Sequence, residues 1–228
     1  MTTNDLVQSI RSTLRSAGDV ERARGAQAYM KSDMPSLGVR VPEVRKIVKV
    51  VAKEFPPSAP VDLRRAVLQL WREAEAREER YAAIDLTGLR MVKEDLDMVP
   101  VYEEIIRTGA WWDLVDGVSH RICALLLAHR ATMTPLLLQW AEDQDMWIRR
   151  AAITAQLGAK SETDPQLLAA VVTANLADKE FFIRKAIGWA LREFSKTEPA
   201  WVTTFVADHA SALSPLSIRE ATRLMPSR

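Results

Sequence analysis

One short pattern returns along this chain at a nearly fixed interval. Val44-Arg45-Lys46-Ile47, Ile148-Arg149-Arg150-Ala151, Ile183-Arg184-Lys185-Ala186 and Ile218-Arg219-Glu220-Ala221 share it, and the last three arginines at the second place (149, 184 and 219) stand 35 residues apart. The gap from Arg45 to Arg149 is close to three such periods: Arg80-Tyr81-Ala82-Ala83-Ile84 fills the slot 35 after Arg45, and Val115-Asp116-Gly117 stands in the other. A period of this length holds one supersecondary unit, whose apolar face is covered only when neighbouring units stack on it.

The units are helical. Glycines number only 8, apolar residues recur at i, i+3 and i+4, and strand-like alternation is nowhere sustained. Turn signals punctuate the helices at Gly38 with Pro42, Pro56-Pro57 with Pro60, Thr108-Gly109, Thr134-Pro135, Asp164-Pro165, Glu198-Pro199 and Ser214-Pro215. Helices this short need tertiary packing. The expected fold is therefore all-α, an α-solenoid of HEAT-like helix pairs forming a single curved domain over residues 1–228. Equivalent repeat positions line up as a ladder on the inner face of such a stack, which places Asp116, Arg150 and Lys185 side by side.

Composition removes several classes of function. No apolar run reaches the roughly 20 residues of a membrane-spanning helix, and the polar start MTTNDLVQSIRSTLRS lacks a secretory apolar region, so a cytoplasmic protein is expected. The lone Cys123 lies in the apolar run ICALLLAH and reads as a small buried hydrophobe. His120, His129 and His209 are scattered, with no metal-ligand spacing, and no phosphate-cradling glycine loop or nucleophile elbow is present. Neither metal nor cofactor is expected. The net charge of +1 neither demands nor forbids nucleic acid. Its distribution is more informative: basic residues gather from Arg11 to Lys53, at Arg149-Arg150 and from Arg184 to Lys196, acidic ones at Glu73–Glu79 and Glu94–Glu104.

On the ladder, Trp112 lies four residues before Asp116 and Trp189 four after Lys185, so each indole shares a helix face with its charged neighbour. Indole faces attract cations, a carboxylate stabilises developing positive charge, and Arg or Lys holds phosphate. Each member also has a plainer reading. Trp71, Trp140, Trp147 and Trp201 fit inter-helix packing, Arg149, Arg184 and Arg219 fit structural ties, and Asp116 alone could be an N-cap. The pair Trp111-Trp112 resists that explanation, because one helix face cannot bury both indoles.

At these residues the chain resembles the AlkD-like DNA alkylation-repair glycosylases. Ala28-Tyr29-Met30-Lys31-Ser32, Leu37-Gly38-Val39, Pro42-Glu43-Val44-Arg45, Trp111-Trp112-Asp113-Leu114-Val115-Asp116, Trp147-Ile148-Arg149-Arg150-Ala151-Ala152-Ile153, the stretch Lys179 to Glu193, and Leu213 to Ala221 carry the resemblance. It implies a HEAT-like fold that grips duplex DNA as a monomer. It implies Asp116 as the catalytic carboxylate, Trp112 and Trp189 as the tryptophans flanking the lesion, Arg150 as the arginine holding the backbone, and Tyr29 near the DNA groove. Lys185 and Arg192 match phosphate contacts by position only. The implied reaction is hydrolysis of the N-glycosidic bond of cationic N3- and N7-alkylated purines, without base flipping. Two other readings are an inactive DNA-structure binder on the same scaffold, which would be expected to lack the Trp-Asp pair, and a protein-binding HEAT-like scaffold with a purely structural ladder.

Overall fold

The computed structural model describes residues 3–225, and those residues fold into helices without a strand. Thirteen α-helices and three short 3₁₀ turns follow one another among them. The chain divides into two compact units, one running to Val101 and the other starting at Tyr102. No described helix is long and apolar enough to cross a membrane.

The first unit contains α1 (Thr3–Ser16), α2 (Val20–Met30), α3 (Val41–Glu54), α4 (Pro60–Arg72) and α5 (Arg77–Leu86). Helix α1 packs on α3, α4 and α5 through Leu6, Val7, Ile10 and Leu14, an i, i+3, i+4 stripe that leaves its other face in water. Asp19 starts α2 by accepting a hydrogen bond from the Arg22 amide at 2.9 Å. The loop joining α2 to α3 is pinned from α5. There the buried Glu78 carboxylate accepts from the Ser36 hydroxyl at 2.7 Å and from the amides of Leu37, Gly38 and Val39 at 2.8, 2.8 and 3.2 Å. Trp71, 1% exposed, fills the core of this unit, and Arg80, in the repeat slot after Arg45, lies 4.7 Å over its ring.

The second unit is two layers of helices. One layer is α7 (Trp112–Ala128), α9 (Met146–Thr154), α11 (Phe181–Ser195) and α13 (Pro215–Ala221), each packed on the next. The other is α8 (Arg130–Ala141), α10 (Pro165–Thr173) and α12 (Pro199–Asp208), packed against the first. Helix α6 (Val99–Gly109) contains the division between the units and ends at the Thr108-Gly109 signal. Side-chain caps start three of these helices. Asp145 caps α9 through the Trp147 amide at 2.8 Å, Asp164 caps α10 through the amides of Gln166 and Leu167 at 2.9 and 3.0 Å, and Ser214 caps α13 through the Ser217 amide at 3.0 Å. Pro165, Pro199 and Pro215 occupy first-turn positions, where a missing N–H costs nothing.

One turn signal is overturned. Thr134-Pro135 lies inside α8, which runs on to Ala141. Pro135 and Ala131 are both exposed there, so the carbonyl that loses its partner four residues back turns to water and the helix survives.

Polar ties join successive repeats. The hydroxyls of Ser119 and Thr154, 35 residues apart, meet at 3.1 Å in the buried interior. Arg149 reaches the Asp143 and Gln144 carbonyls, the Asn175 side chain and the Asp178 carboxylate, the last at 2.7 Å, which makes it a structural tie. Cys123 is buried, and burial pushes its thiol above the ordinary range, opposed by Arg130. An inert packing group results.

Candidate active site

Three successive packed helices carry the site residues of the second unit. Trp112 opens α7, and Asp116 follows one turn later on the same face. Asp116 is thus not an N-cap. Arg150 projects from α9, while Lys185, Trp189 and Arg192 stand on α11, with Lys185 and Trp189 one turn apart.

The ladder expected from the repeat becomes a set of paired charges. Arg150 donates from Nε to one Asp116 oxygen at 2.8 Å and from Nη2 to the other at 2.7 Å, across 34 residues of sequence. This fork-on-fork geometry is the strongest way a guanidinium holds a carboxylate. The third nitrogen, Nη1, donates to the backbone carbonyl of Phe182 at 2.6 Å, so the guanidinium is held from α7 and α11 at once. Arg150 is 3% exposed. The residue that the resemblance implies as the holder of the DNA backbone is bound here to the Asp116 carboxylate and to the Phe182 carbonyl.

Burial is the largest influence on Asp116 and pushes its carboxyl above the usual range; Arg150 pulls it back and Asp113, one turn earlier, pushes it further up. With its side chain 15% exposed, Asp116 still reaches solvent. The fork occupies one lone pair on each oxygen, and a carboxylate offers about four such sites, so the open edge can meet a further partner.

Lys185 and Arg192 share one acceptor. The Glu220 carboxylate, on α13, accepts from Lys185 Nζ at 2.7 Å and from Arg192 Nη1 at 2.6 Å. The side chain of Lys185 is 40% exposed and that of Arg192 21%, so both retain a face to solvent. Glu220 is the next rung, 35 residues beyond Lys185 and one position after the repeating arginine Arg219, a neighbour that the arginine pattern does not single out.

The tryptophans divide into two sets. Trp140 and Trp147 are buried and Trp201 stacks on Phe205 at 5.1 Å, as packing residues should. Trp111, the N-cap residue of α7, turns into a cluster with Trp147 and Phe182, at ring-centroid distances of 6.2 and 5.5 Å. Trp111 joins this cluster before the helix begins, with its indole nitrogen buried, and all three of Trp111, Trp112 and Trp189 are partly exposed. Tyr29 belongs to α2 of the first unit and is 75% exposed. Beside it lies a cleft of about 210 Å³ whose lining includes Arg22, Arg40, Arg77 and Tyr81.

Comparison with known proteins bears on family and fold. A family profile described as DNA alkylation repair enzyme matches residues 10–225. Among solved structures, the chain is similar to one described as a predicted DNA alkylation repair enzyme from Enterococcus faecalis, with 30% identity and a TM-score of 0.83 over 92% of this chain and 98% of that one. It is also similar to AlkD2 from Streptococcus mutans, with 14% identity and a TM-score of 0.64 over 90% of this chain and 100% of that one. The protein smu.31 from Streptococcus mutans UA159 follows, with 15% identity and a TM-score of 0.60 over 80% of this chain and 100% of that one. These last two likenesses speak to fold alone. No curated protein sequence matches the chain.

Proposed function

The chain belongs to the DNA alkylation repair enzyme family, and from that premise we propose that it is a DNA glycosylase releasing cationic N3- and N7-alkylated purines from duplex DNA. One observation carries the reading: a carboxylate gripped by a buried arginine, with one edge open to solvent, stands one turn from a partly exposed indole.

The chemistry follows from charge. Alkylation at N3 or N7 makes the base cationic, so its bond to C1′ is weak and the base departs neutral without needing an acid. As that bond stretches, positive charge moves to the deoxyribose, which becomes oxocarbenium-like. Asp116 is the fixed negative charge that stabilises it, and its open edge orients the water that attacks C1′ and gives up a proton. Arg150 keeps the carboxylate in place and opposes the protonation that burial favours. Trp112 and Trp189 hold the cationic nucleotide and sugar, at about 0.5 to 2 kcal/mol per cation–π contact. Lys185 and Arg192 meet the DNA backbone, and Tyr29 is a further DNA-contacting residue. The lesion stays in the duplex, recognised by its charge, so uncharged lesions are poor substrates. The enzyme acts as a monomer in the cytoplasm and uses no cofactor.

Methylated duplex DNA, incubated with the protein and a chelator, tests this. Free 7-methylguanine or 3-methyladenine should appear, and Asp116→Asn should lose most of the activity while still binding the duplex. Binding without any base release by the wild-type protein would instead identify a DNA-structure binder.

A further inference from the structure

Three aromatic rings sit at the starts of the three helices that carry the site. Trp111 precedes the first residue of α7, Trp147 is the second residue of α9, and Phe182 is the second residue of α11. Their centroids lie 6.2 Å apart for Trp111 and Trp147, 5.5 Å for Trp111 and Phe182, and 5.0 Å for Trp147 and Phe182. The exposed Phe181 adds an edge contact to Phe182 at 5.4 Å. Aromatic contacts of this kind prefer defined geometries, so the rings fix where the three helix starts stand relative to one another.

Phe182 connects these rings to the chemistry. Its side chain is the member that contacts both indoles, and its backbone carbonyl is the acceptor of the 2.6 Å bond from Arg150 Nη1. The remaining nitrogens of that guanidinium hold both oxygens of Asp116. A chain of contacts therefore runs from Trp111 and Trp147 through Phe182 and Arg150 to the carboxylate. Packing, not hydrogen bonding, keeps Trp111 there, because its indole nitrogen is buried without a hydrogen-bond partner among the described residues.

We propose that Trp111, Trp147 and Phe182 form a positioning brace that sets the place of the Asp116 carboxylate, acting through the Phe182 carbonyl and Arg150. This inference rests on the glycosylase reading for its kinetic consequence but not for its structural one. Loss of the Phe182 ring frees the first turn of α11 to shift, the carbonyl moves away from Nη1, and the fork on Asp116 turns with it. A misplacement of about 1 Å at a reacting group can cost on the order of 100-fold in rate.

The test pairs kinetics with a resonance that reports the fork directly. Single-turnover release of 7-methylguanine and DNA affinity are measured for wild type, Phe182→Leu and Trp147→Phe, and the Arg150 Nε–H signal is followed by ¹⁵N NMR in each. Phe182→Leu should slow release by about 10- to 100-fold with affinity for the duplex nearly unchanged, and its Arg150 Nε–H should shift and exchange faster with water. Trp147→Phe, which keeps a ring in the brace, should retain both the rate and the resonance. Should Phe182→Leu fail to fold, Trp147→Leu against Trp147→Phe gives the same comparison. A wild-type rate in the leucine variant, or a slower rate with the Arg150 signal unmoved, overturns the brace. If the wild-type protein releases no base, the glycosylase reading falls, and the resonance alone decides the brace.

Discussion

Gly188 and Glu220 approach so closely that a Cβ built on the glycine would stand 2.5 Å from the Cβ of the glutamate. The same atom would meet the Ser217 carbonyl oxygen at 3.0 Å and its Cα at 3.2 Å. Helices α11 and α13 therefore pack at backbone distance, and Glu220 is carried to where Lys185 and Arg192 can both reach it. Glycine inside an exposed helix costs about 1 kcal/mol relative to alanine, so Gly188→Ala would stabilise an isolated α11. Here the opposite is expected. The methyl group must push α13 away, destabilising the protein by about 1 to 3 kcal/mol, and urea denaturation monitored by circular dichroism would show the midpoint falling.

Glu220 itself restrains two cations. Lys185 holds its carboxyl below the ordinary glutamate range, opposed by burial, with Arg192 and Arg223 adding to the lowering. A carboxylate lowered in the fold contributes stability above its unfolded value and loses it as pH falls through the folded one, so this contribution is present at neutral pH and disappears in acid. Glu220→Gln should flatten that acid limb in a stability-against-pH series. It should also relieve Lys185 and Arg192 of a competing carboxylate, so that their hold on the DNA backbone tightens. Fluorescence anisotropy titrations at one fixed salt concentration should then show higher affinity for the duplex, and an unchanged affinity would mean that neither cation meets the backbone.

What was legible in the sequence divides along a physical line. Helix starts written in local chemistry, such as Asp164-Pro165 and Ser214-Pro215, are where the pattern puts them, because a cap and its amide lie within three residues. Thr134-Pro135 misleads, since whether a proline ends a helix depends on whether the orphaned carbonyl finds water, and that is decided by tertiary exposure. At the site, the 35-residue period foretells that Asp116 and Arg150 are neighbours. It does not foretell that the guanidinium is spent on the carboxylate and on Phe182, because a backbone acceptor leaves no trace in residue identity. The division of labour between Trp111 and Trp112 was hidden for a similar reason: it depends on the helix starting between them.

In the first unit, the loop between α2 and α3 depends on a single buried side chain. Glu78, 2% exposed, accepts three backbone amides and one hydroxyl from residues 36–39. Gly38 within that loop has φ of 78°, and a Cβ there would lie 2.1 Å from the Asp19 carbonyl oxygen, so no other residue can replace it without displacing α2. Glu78→Gln keeps one acceptor oxygen for Ser36, Gly38 and Val39 but turns an NH₂ toward the Leu37 amide and leaves it unsatisfied. A buried group left unpaired costs about 1 to 3 kcal/mol, and a loss of that size is expected. Trypsin should then cut after the exposed Arg40 well before the wild-type loop is touched; equal cleavage rates would show that the loop holds without the carboxylate.

The pH dependence of catalysis isolates what Arg150 does for Asp116. Burial raises the carboxyl above its ordinary value of 3.8, Arg150 lowers it, and Asp113 raises it. Only the ionised carboxylate can stabilise an oxocarbenium-like sugar, so the rate of base release should fall toward acid with a midpoint above that ordinary value. Arg150→Gln removes the lowering influence and leaves burial and Asp113 unopposed, so the midpoint must move to higher pH. The stability sign runs the other way from that of Glu220: a carboxyl raised in the fold binds its proton more tightly folded than unfolded, so the variant loses stability as pH rises through its titration. Asp116→Asn combined with Arg150→Gln relieves the buried charge and should recover much of that stability, since removing both members of a buried pair costs far less than removing one. Activity should not return with it. The position of the acid limb in single-turnover release, rather than its height, is the measurement that matters, because a displaced carboxylate lowers the rate at every pH whereas only a changed charge environment moves the midpoint.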